Sequence, residues 1–138
     1  MLDAGFGHVP VVTLGLGRKA VNEQEGFNLK WGKIISVALN ALLYTDTLSK
    51  LYHASVVRER EPGAAARLRD QYLAMAEKPI LDNTPSKLVE YADRAARDFN
   101  GICLDKECPR VGVVGEILVK YMPLANNHLV DLLEKEGA

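Results

Sequence analysis

The sequence predicts a mixed α/β fold in which helices dominate, with three to four helices packed beside a minimal sheet of two parallel strands. Three observations lead to this prediction. Apolar residues recur at helical spacing over much of residues 29–101. Short segments rich in β-branched residues lie near Val11 and Val113, on either side of this helical block. A further helical pattern follows the second segment, so residues 109–138 are predicted to begin an α/β lobe as a truncated βαβ unit.

Composition indicates a single small domain over residues 1–138. Of the 138 residues, 48% are hydrophobic and 25% are charged, which is typical of globular proteins. The formal net charge of -1 gives no electrostatic reason to bind nucleic acid or an anionic membrane. No apolar run reaches the roughly 18 residues that a membrane span needs. Two cysteines exclude a disulfide scaffold, so a reducing, cytoplasmic location is expected.

Residues 1–28 are predicted to hold a strand followed by a glycine-rich loop. The strand, Val9–Leu14, is rich in β-branched residues and is bounded by glycines. The next segment, Gly15–Ala20, fits the G-x-G-x-x-A pattern of dinucleotide sites, in which backbone amides approach a pyrophosphate. The residues after it are a poor start for an amphipathic helix, so a plain glycine loop is favoured. A dinucleotide-binding module that uses Gly15–Ala20 remains an alternative function.

The strongest helical pattern runs from Leu29 to about His53, with Asn28 as a candidate N-cap. Its apolar arc is wide, which predicts a central helix covered on more than one side. A break at Thr45–Thr47 would divide it into two helices. In a second alternative hypothesis, this helix is an oligomerisation module through which copies of the chain assemble.

Two further helices complete the helical block. One is predicted from about Pro62 to Lys78 and is ended by Pro79, since a proline disfavours helical backbone in the residue before it. The next begins at Thr84–Pro85, as N-cap and first helical residue, and stops at Asn100–Gly101. Its narrow apolar stripe consists of Leu88, Ala92, Ala95 and Phe99.

The final third of the chain changes character. Val111–Leu118 is an almost unbroken apolar run, which is typical of a strand buried on both faces of a parallel sheet. A helix capped by Asn126 or Asn127 should then run to Glu136, with Gly137 as its C-terminal cap. No returning strand follows, so we expect the chain to be an excised portion of a larger protein. The exposed edge of the small sheet is expected to recruit a second copy.

One loop of this predicted lobe is a candidate ligand-facing site. In open α/β sheets, ligands bind beyond the carboxyl ends of the strands, beside the following helix. A carboxylate, an ammonium group and two amides converge there. The alternative is that Asn126 caps the helix while Glu116 and Lys120 are solvated. The candidate residues are Gly115, Glu116, Lys120, Pro123, Asn126 and Asn127.

The cysteines and histidines give weaker signals. Cys103 and Cys108 lie in a short connector, and two thiolates cannot complete a four-ligand iron–sulfur site alone. They are therefore weak metal candidates, and ordinary loop thiols are favoured. The three histidines, His8, His53 and His128, occur singly and match no metal-binding motif.

The stretch from Arg110 to Ala138, reading RVGVVGEILVKYMPLANNHLVDLLEKEGA, resembles proteins of the 2-hydroxyacyl-CoA dehydratase activator group. More narrowly, it is similar to the large multidomain CoA-substrate-specific enzyme activases. The segments GHVPVVTLGL, ALLYTDTLSKLY and KECPRVGVVG are similar to the same region. The resemblance thus covers nearly the whole chain and is most specific over its last 30 or so residues.

The resemblance implies a role in acyl-CoA dehydration. Activators of this group couple ATP hydrolysis to electron transfer from an iron–sulfur cluster, which enables radical dehydration of a 2-hydroxyacyl-CoA. The chain then corresponds to a fragment of the dehydratase-subunit-like region, inactive in isolation and without a cofactor of its own. ATP and the cluster would belong to other domains of the parent protein. Those domains and an acyl-CoA dehydratase are the implied partners, with no nucleic acid and no membrane. The six loop residues are the positions carried over, without individual chemical roles.

Overall fold

The computed structural model describes residues 31–138, and this part of the chain is helical. Helices account for 69% of the described residues, and no strand occurs among them. The helices, in chain order, are α1 (Trp31–Val56), α2 (Ala64–Leu81), α3 (Pro85–Ile102), α4 (Ile117–Tyr121) and α5 (Leu129–Glu136). Residues from Ile35 to Ala138 form one compact unit.

The first helix, α1, confirms the predicted long helix but contains no break. It continues through Thr45 and Thr47 for a total of 26 residues. The Thr45 hydroxyl donates to the carbonyl of Ala41 at 2.9 Å, and the Thr47 hydroxyl donates to that of Leu43 at 2.8 Å. Because both hydroxyls bond to carbonyls one turn earlier, they do not compete with the helical backbone. The predicted division into two helices is therefore wrong.

The second helix, α2, continues past the predicted stop at Pro79. It ends at Leu81, with the proline inside its last turn. The amide of Asp82 still donates to the carbonyl of Lys78 at 2.9 Å, and the Pro79 carbonyl accepts from Thr84 at 2.8 Å. So close to the end of a helix, a proline removes a single backbone hydrogen bond, and the turn forms around it.

The carboxylate of Glu59 caps the start of α2. Its two oxygens accept from the backbone amides of Gly63 at 2.6 Å and Ala65 at 2.8 Å. Gly63 has a φ of 82°, which glycine adopts without steric cost. The cap satisfies amides that have no partner within the helix and places a negative charge at its positive end.

The third helix, α3, confirms the predicted start at Thr84–Pro85 and extends just past the predicted stop, to Ile102. Three residues of its apolar stripe, Leu88, Ala95 and Phe99, are buried. Together with α1 and α2 they form the core of a three-helix bundle. The buried cluster consists of Tyr44, Leu48, Ala65, Tyr72, Ala76, Leu88, Ala95 and Phe99.

Two buried tyrosines connect the helices of the bundle. The Tyr44 hydroxyl of α1 donates to the backbone carbonyl of Tyr72 in α2 at 3.0 Å. The Tyr72 hydroxyl in turn donates to the Asp98 carboxylate of α3 at 2.5 Å. Burial raises the pKa of both hydroxyls to about 12, and for Tyr72 the hydrogen bond to Asp98 adds to the increase. Both polar groups are therefore satisfied inside the core in their protonated form.

The predicted two-strand sheet and truncated βαβ unit are wrong for the described residues. Val111–Leu118 forms no strand; its first part is irregular, and α4 begins at Ile117. Val114 is 92% exposed. A strand buried in a parallel sheet needs neighbours to bond its backbone, and no described segment supplies one, whereas a short helix satisfies its own carbonyls.

The other elements of that prediction have separate outcomes. The strand near Val11 and the Gly15–Ala20 loop lie outside the described residues. Without a sheet in residues 31–138, the predicted sheet edge for a second copy has no counterpart there. The predicted last helix is confirmed as α5, capped at its end by Gly137, whose φ is 85°.

Within residues 31–138, no helix combines the length and apolar character that a membrane crossing requires.

Candidate functional site

The last part of the chain, residues 104–138, is called here the C-terminal segment. An antiparallel bridge between Glu59 and Cys103 and a hydrogen bond from the Leu104 amide to the Arg58 carbonyl at 2.7 Å tie its start to the connector between α1 and α2. Further along, α5 meets the last turns of α1. There, Nδ1 of His53 lies 2.6 Å from Oε1 of Glu134.

A groove of about 440 Å³ lies between α1 and the C-terminal segment. We call it the α1/α5 groove. Its polar lining residues are Ser49, His53, Lys120, Asn126, His128 and Asp131. Its apolar lining residues are Val113, Tyr121, Pro123 and Val130.

Half of the predicted loop residues line this groove. Lys120, Pro123 and Asn126 do so. Gly115, Glu116 and Asn127 are exposed and are not among the lining residues.

Glu116 and Asn126 have structural roles that the sequence partly anticipates. The Glu116 carboxylate caps α4 by accepting from the Val119 amide at 3.1 Å. The Asn126 amide group donates to the Lys120 carbonyl at 2.8 Å, and its oxygen accepts from the Leu129 amide at 3.2 Å. Asn126 therefore joins the end of α4 to the start of α5, although the N-cap position of α5 is His128 and not Asn126 or Asn127 as predicted.

Two histidines of this site were not predicted to be functional. His53 comes from α1 and His128 from the turn before α5, yet both line the groove. His128 Nδ1 lies 2.9 Å from the Asp131 carboxylate three residues later, a spacing that the sequence shows. The partner of His53, Glu134, is 81 residues away in the chain, so no local pattern could reveal it.

The carboxylates fix the tautomers of both imidazoles. A carboxylate can only accept, so Nδ1 carries the proton in each ring, and Nε2 has the free lone pair when the ring is neutral. Glu134 is the more enclosed partner, with its side chain 17% exposed. The Tyr52 ring meets the His53 ring edge-on, at 5.1 Å between centroids.

The surroundings of Tyr52 are also polar. Its pKa is raised mainly by burial; the Glu134 carboxylate adds to the increase, and Arg69 opposes it. The Arg69 guanidinium lies 4.8 Å from the centre of the Tyr52 ring, at a distance typical of a cation–π contact. Tyr52 therefore packs between the bundle and the His53–Glu134 pair.

The groove also contains an ammonium group. Lys120 Nζ lies 4.7 Å from the centre of the Tyr121 ring. No carboxylate in the described part of the chain lies within ion-pair distance of it. A positive charge that has no ion-pair partner among residues 31–138, beside two oriented imidazoles and an apolar wall, can bind an anionic ligand that has an apolar part.

A second hollow, of about 710 Å³, is also lined by His53. Charged residues of both signs line it, among them Arg58, Arg110 and Glu107. Cys108 also lines it. Cys103, in contrast, is buried, and its thiol lies 3.2 Å from the Phe99 carbonyl.

The two weak metal candidates therefore have different surroundings. The Cys103 thiol lies in the bundle, and the Cys108 thiol lines an open hollow. Within residues 31–138, no group of three or more histidine, cysteine, aspartate or glutamate side chains is arranged to hold a metal ion.

Comparison of the chain with protein-family models, with curated protein sequences and with solved structures gave no match in any of the three.

Proposed function

We propose that this chain is a ligand-binding segment of a cytoplasmic activase-related protein that supports ATP-driven, iron–sulfur-dependent dehydration of 2-hydroxyacyl-CoA. In this proposal the three-helix bundle is the support, and the α1/α5 groove holds part of the acyl-CoA. The segment has no turnover of its own. ATP and the cluster belong to other domains of the parent protein, and an acyl-CoA dehydratase is the partner.

One observation carries the proposal. Lys120, Pro123 and Asn126 belong to the part of the sequence that most resembles the activases, and they line the same groove as His53 and His128. The resemblance therefore points to the same place as the geometry of the polar side chains.

The chemistry of the groove suits a coenzyme A ligand. Coenzyme A combines phosphate groups with an uncharged chain that ends in a thiol. The Lys120 ammonium is a donor that favours phosphate oxygens. Pro123 and Val130 offer apolar surface for the uncharged chain.

Calorimetric titration with coenzyme A tests the proposal. We expect saturable binding, and Lys120→Ala should weaken it by about tenfold, since one charge-assisted hydrogen bond is worth roughly 1.5 kcal/mol. Lys87→Ala is the matched control, because Lys87 lies on α3, forms an ion pair with Glu90 at 2.8 Å and does not line the groove. No saturable binding, or equal weakening by both variants, would refute the proposal.

A second measurement addresses the absence of turnover. We expect the chain to hydrolyse ATP no faster than a buffer blank. A rate above that blank which disappears in Glu116→Gln would contradict the proposal, because Glu116 then would act beyond its capping of α4.

A further inference from the structure

The first half of α1 carries an exposed apolar stripe. Four large side chains on consecutive turns are between 52% and 64% exposed: Ile35, Leu39, Leu42 and Leu43. Ala38 lies among them and is also exposed. We call these five residues the α1 stripe. No residue in the described part of the chain buries it.

Helical geometry places the α1 stripe on the side of α1 opposite to the bundle. Successive residues turn by about 100° around a helix, so Leu39 and Leu42 point away from the direction of Tyr44 and Leu48. Tyr44 and Leu48 are the buried residues that join α1 to the core. The stripe is therefore additional to the apolar face that the three-helix bundle requires.

Polar residues bound the α1 stripe on its C-terminal side. The same face continues with Asp46 and Lys50, which form an exposed ion pair at 2.7 Å, and then with His53, where α5 docks. Between Ile35 and Leu43 the sequence contains no charged residue. Surfaces without charge at their centre are typical of the cores of protein interfaces.

The arrangement of the α1 stripe is self-complementary. Its midpoint falls between Ala38 and Leu39, and Ile35 and Leu42 lie equally far from that midpoint. A second α1 that runs antiparallel would therefore place Leu42 of each copy against Ile35 of the other. It would likewise place Ala38 of each copy against Leu39 of the other. A twofold-symmetric interface requires such a patch. The four-residue spacing of Ile35, Leu39 and Leu43 forms the ridge that packs into a matching groove of another helix.

From this symmetry we propose that the α1 stripe binds a second copy of this chain, with the two α1 helices antiparallel. This interface is independent of the α1/α5 groove and of its ligand. The stripe offers on the order of 400 Å² per copy, so the pair approaches the roughly 1,000 Å² at which specific interfaces begin. The dimer is accordingly weak and concentration-dependent.

Sedimentation equilibrium of the full chain tests the proposal. We expect a monomer–dimer equilibrium whose dissociation constant rises at least tenfold in Leu39→Glu, since the symmetry brings two carboxylates together near the axis. Val89→Glu is the matched control, because Val89 is 69% exposed on α3 and outside the stripe. Circular dichroism establishes that both variants fold. A monomer at every concentration, or an equal effect of the two variants, would overturn the proposal.

Cross-linking tests the antiparallel direction. In a Cys108→Ser background, with oxidised glutathione as the oxidant, Ala38→Cys should form a disulfide-linked dimer. Leu42→Cys alone should not, whereas a mixture of Leu42→Cys and Ile35→Cys should form the mixed dimer. Efficient linking of Leu42→Cys to itself would indicate parallel helices and would contradict the proposal.

Discussion

The three-helix bundle and the C-terminal segment differ in how they are held. In the bundle, Tyr72 and Phe99 are almost fully buried and belong to a continuous apolar cluster. In the C-terminal segment, neither α4 nor α5 has a buried residue. Its polar contacts include caps within the segment and the hydrogen bond between Glu134 and His53. Burial of apolar surface thus stabilises the first region, and polar contacts hold the second.

This difference bears on function. Polar contacts at the surface contribute little free energy, and regions with few buried contacts open at low cost. The candidate groove lies at the boundary, with His53 on the stable side and Lys120 on the weakly held side. A ligand that contacts both sides would stabilise the weaker region.

The largest expected effect comes from the bundle core. Phe99→Ala should lower the free energy of unfolding by about 3–5 kcal/mol, because it removes a buried ring and leaves a cavity. Val89→Ala, on the same helix but exposed, should change it by less than about 0.5 kcal/mol. Urea denaturation measures both values. Similar losses for the two variants would mean that the core is misassigned.

A second prediction concerns alkaline pH. Tyr44 and Tyr72 have folded pKa values of about 12, raised from 10.0. Their stabilising effect is therefore complete below pH 10 and is lost as the pH rises toward 12, on the order of 2–3 kcal/mol for each group. Tyr44→Phe should make the fall in unfolding free energy between pH 10 and 12 shallower, as measured by urea denaturation at each pH.

The matched control for that experiment lies in the other region. Tyr121→Phe alters a tyrosine of the C-terminal segment that is largely exposed, so the alkaline profile should be unchanged. An equally shallow profile for both variants would contradict the assignment of the effect to the bundle.

The smallest effect is expected at the contact between the two regions. Glu134→Gln removes the negative charge that faces His53 and should cost roughly 0.2–1 kcal/mol, the range typical of partly exposed charged contacts. The loss should be confined to α5, whose amides should exchange faster while the urea midpoint stays the same. Glu136→Gln, two residues later and exposed, should have neither effect. A lower urea midpoint in Glu134→Gln would show that the two regions unfold together.

The sequence predicts the bundle well and the C-terminal segment poorly, for a physical reason. The caps and periodicity that define α3 are local, so Thr84–Pro85 and the Leu88–Phe99 stripe could be found from the sequence. Whether Val111–Leu118 forms a strand depends on segments that are distant in the sequence. An apolar run predicts a buried strand when neighbouring strands exist; where none is present among the described residues, Val111–Glu116 is irregular and a short helix begins only at Ile117.

The candidate site likewise contains residues with local sequence signals and residues whose contacts are distant in the sequence. Lys120 and Asn126 could be predicted, because a loop rich in polar residues preceded a recognisable helix. The role of His53 could not, since its carboxylate partner is Glu134, far along the chain, and single histidines carry no spacing signal. The palindromic spacing within the α1 stripe is visible in the sequence, but its exposure is not.

Amide hydrogen exchange with and without coenzyme A tests most directly whether the C-terminal segment is a weakly held ligand lobe on a stable bundle. Without ligand, amides of α2 and α3 should exchange at rates set by global unfolding, and those of α4 and α5 much faster. At ten times the dissociation constant, exchange in α4 and α5 should slow by about tenfold. Equal protection of both regions without ligand, together with no change on adding coenzyme A, would contradict the account.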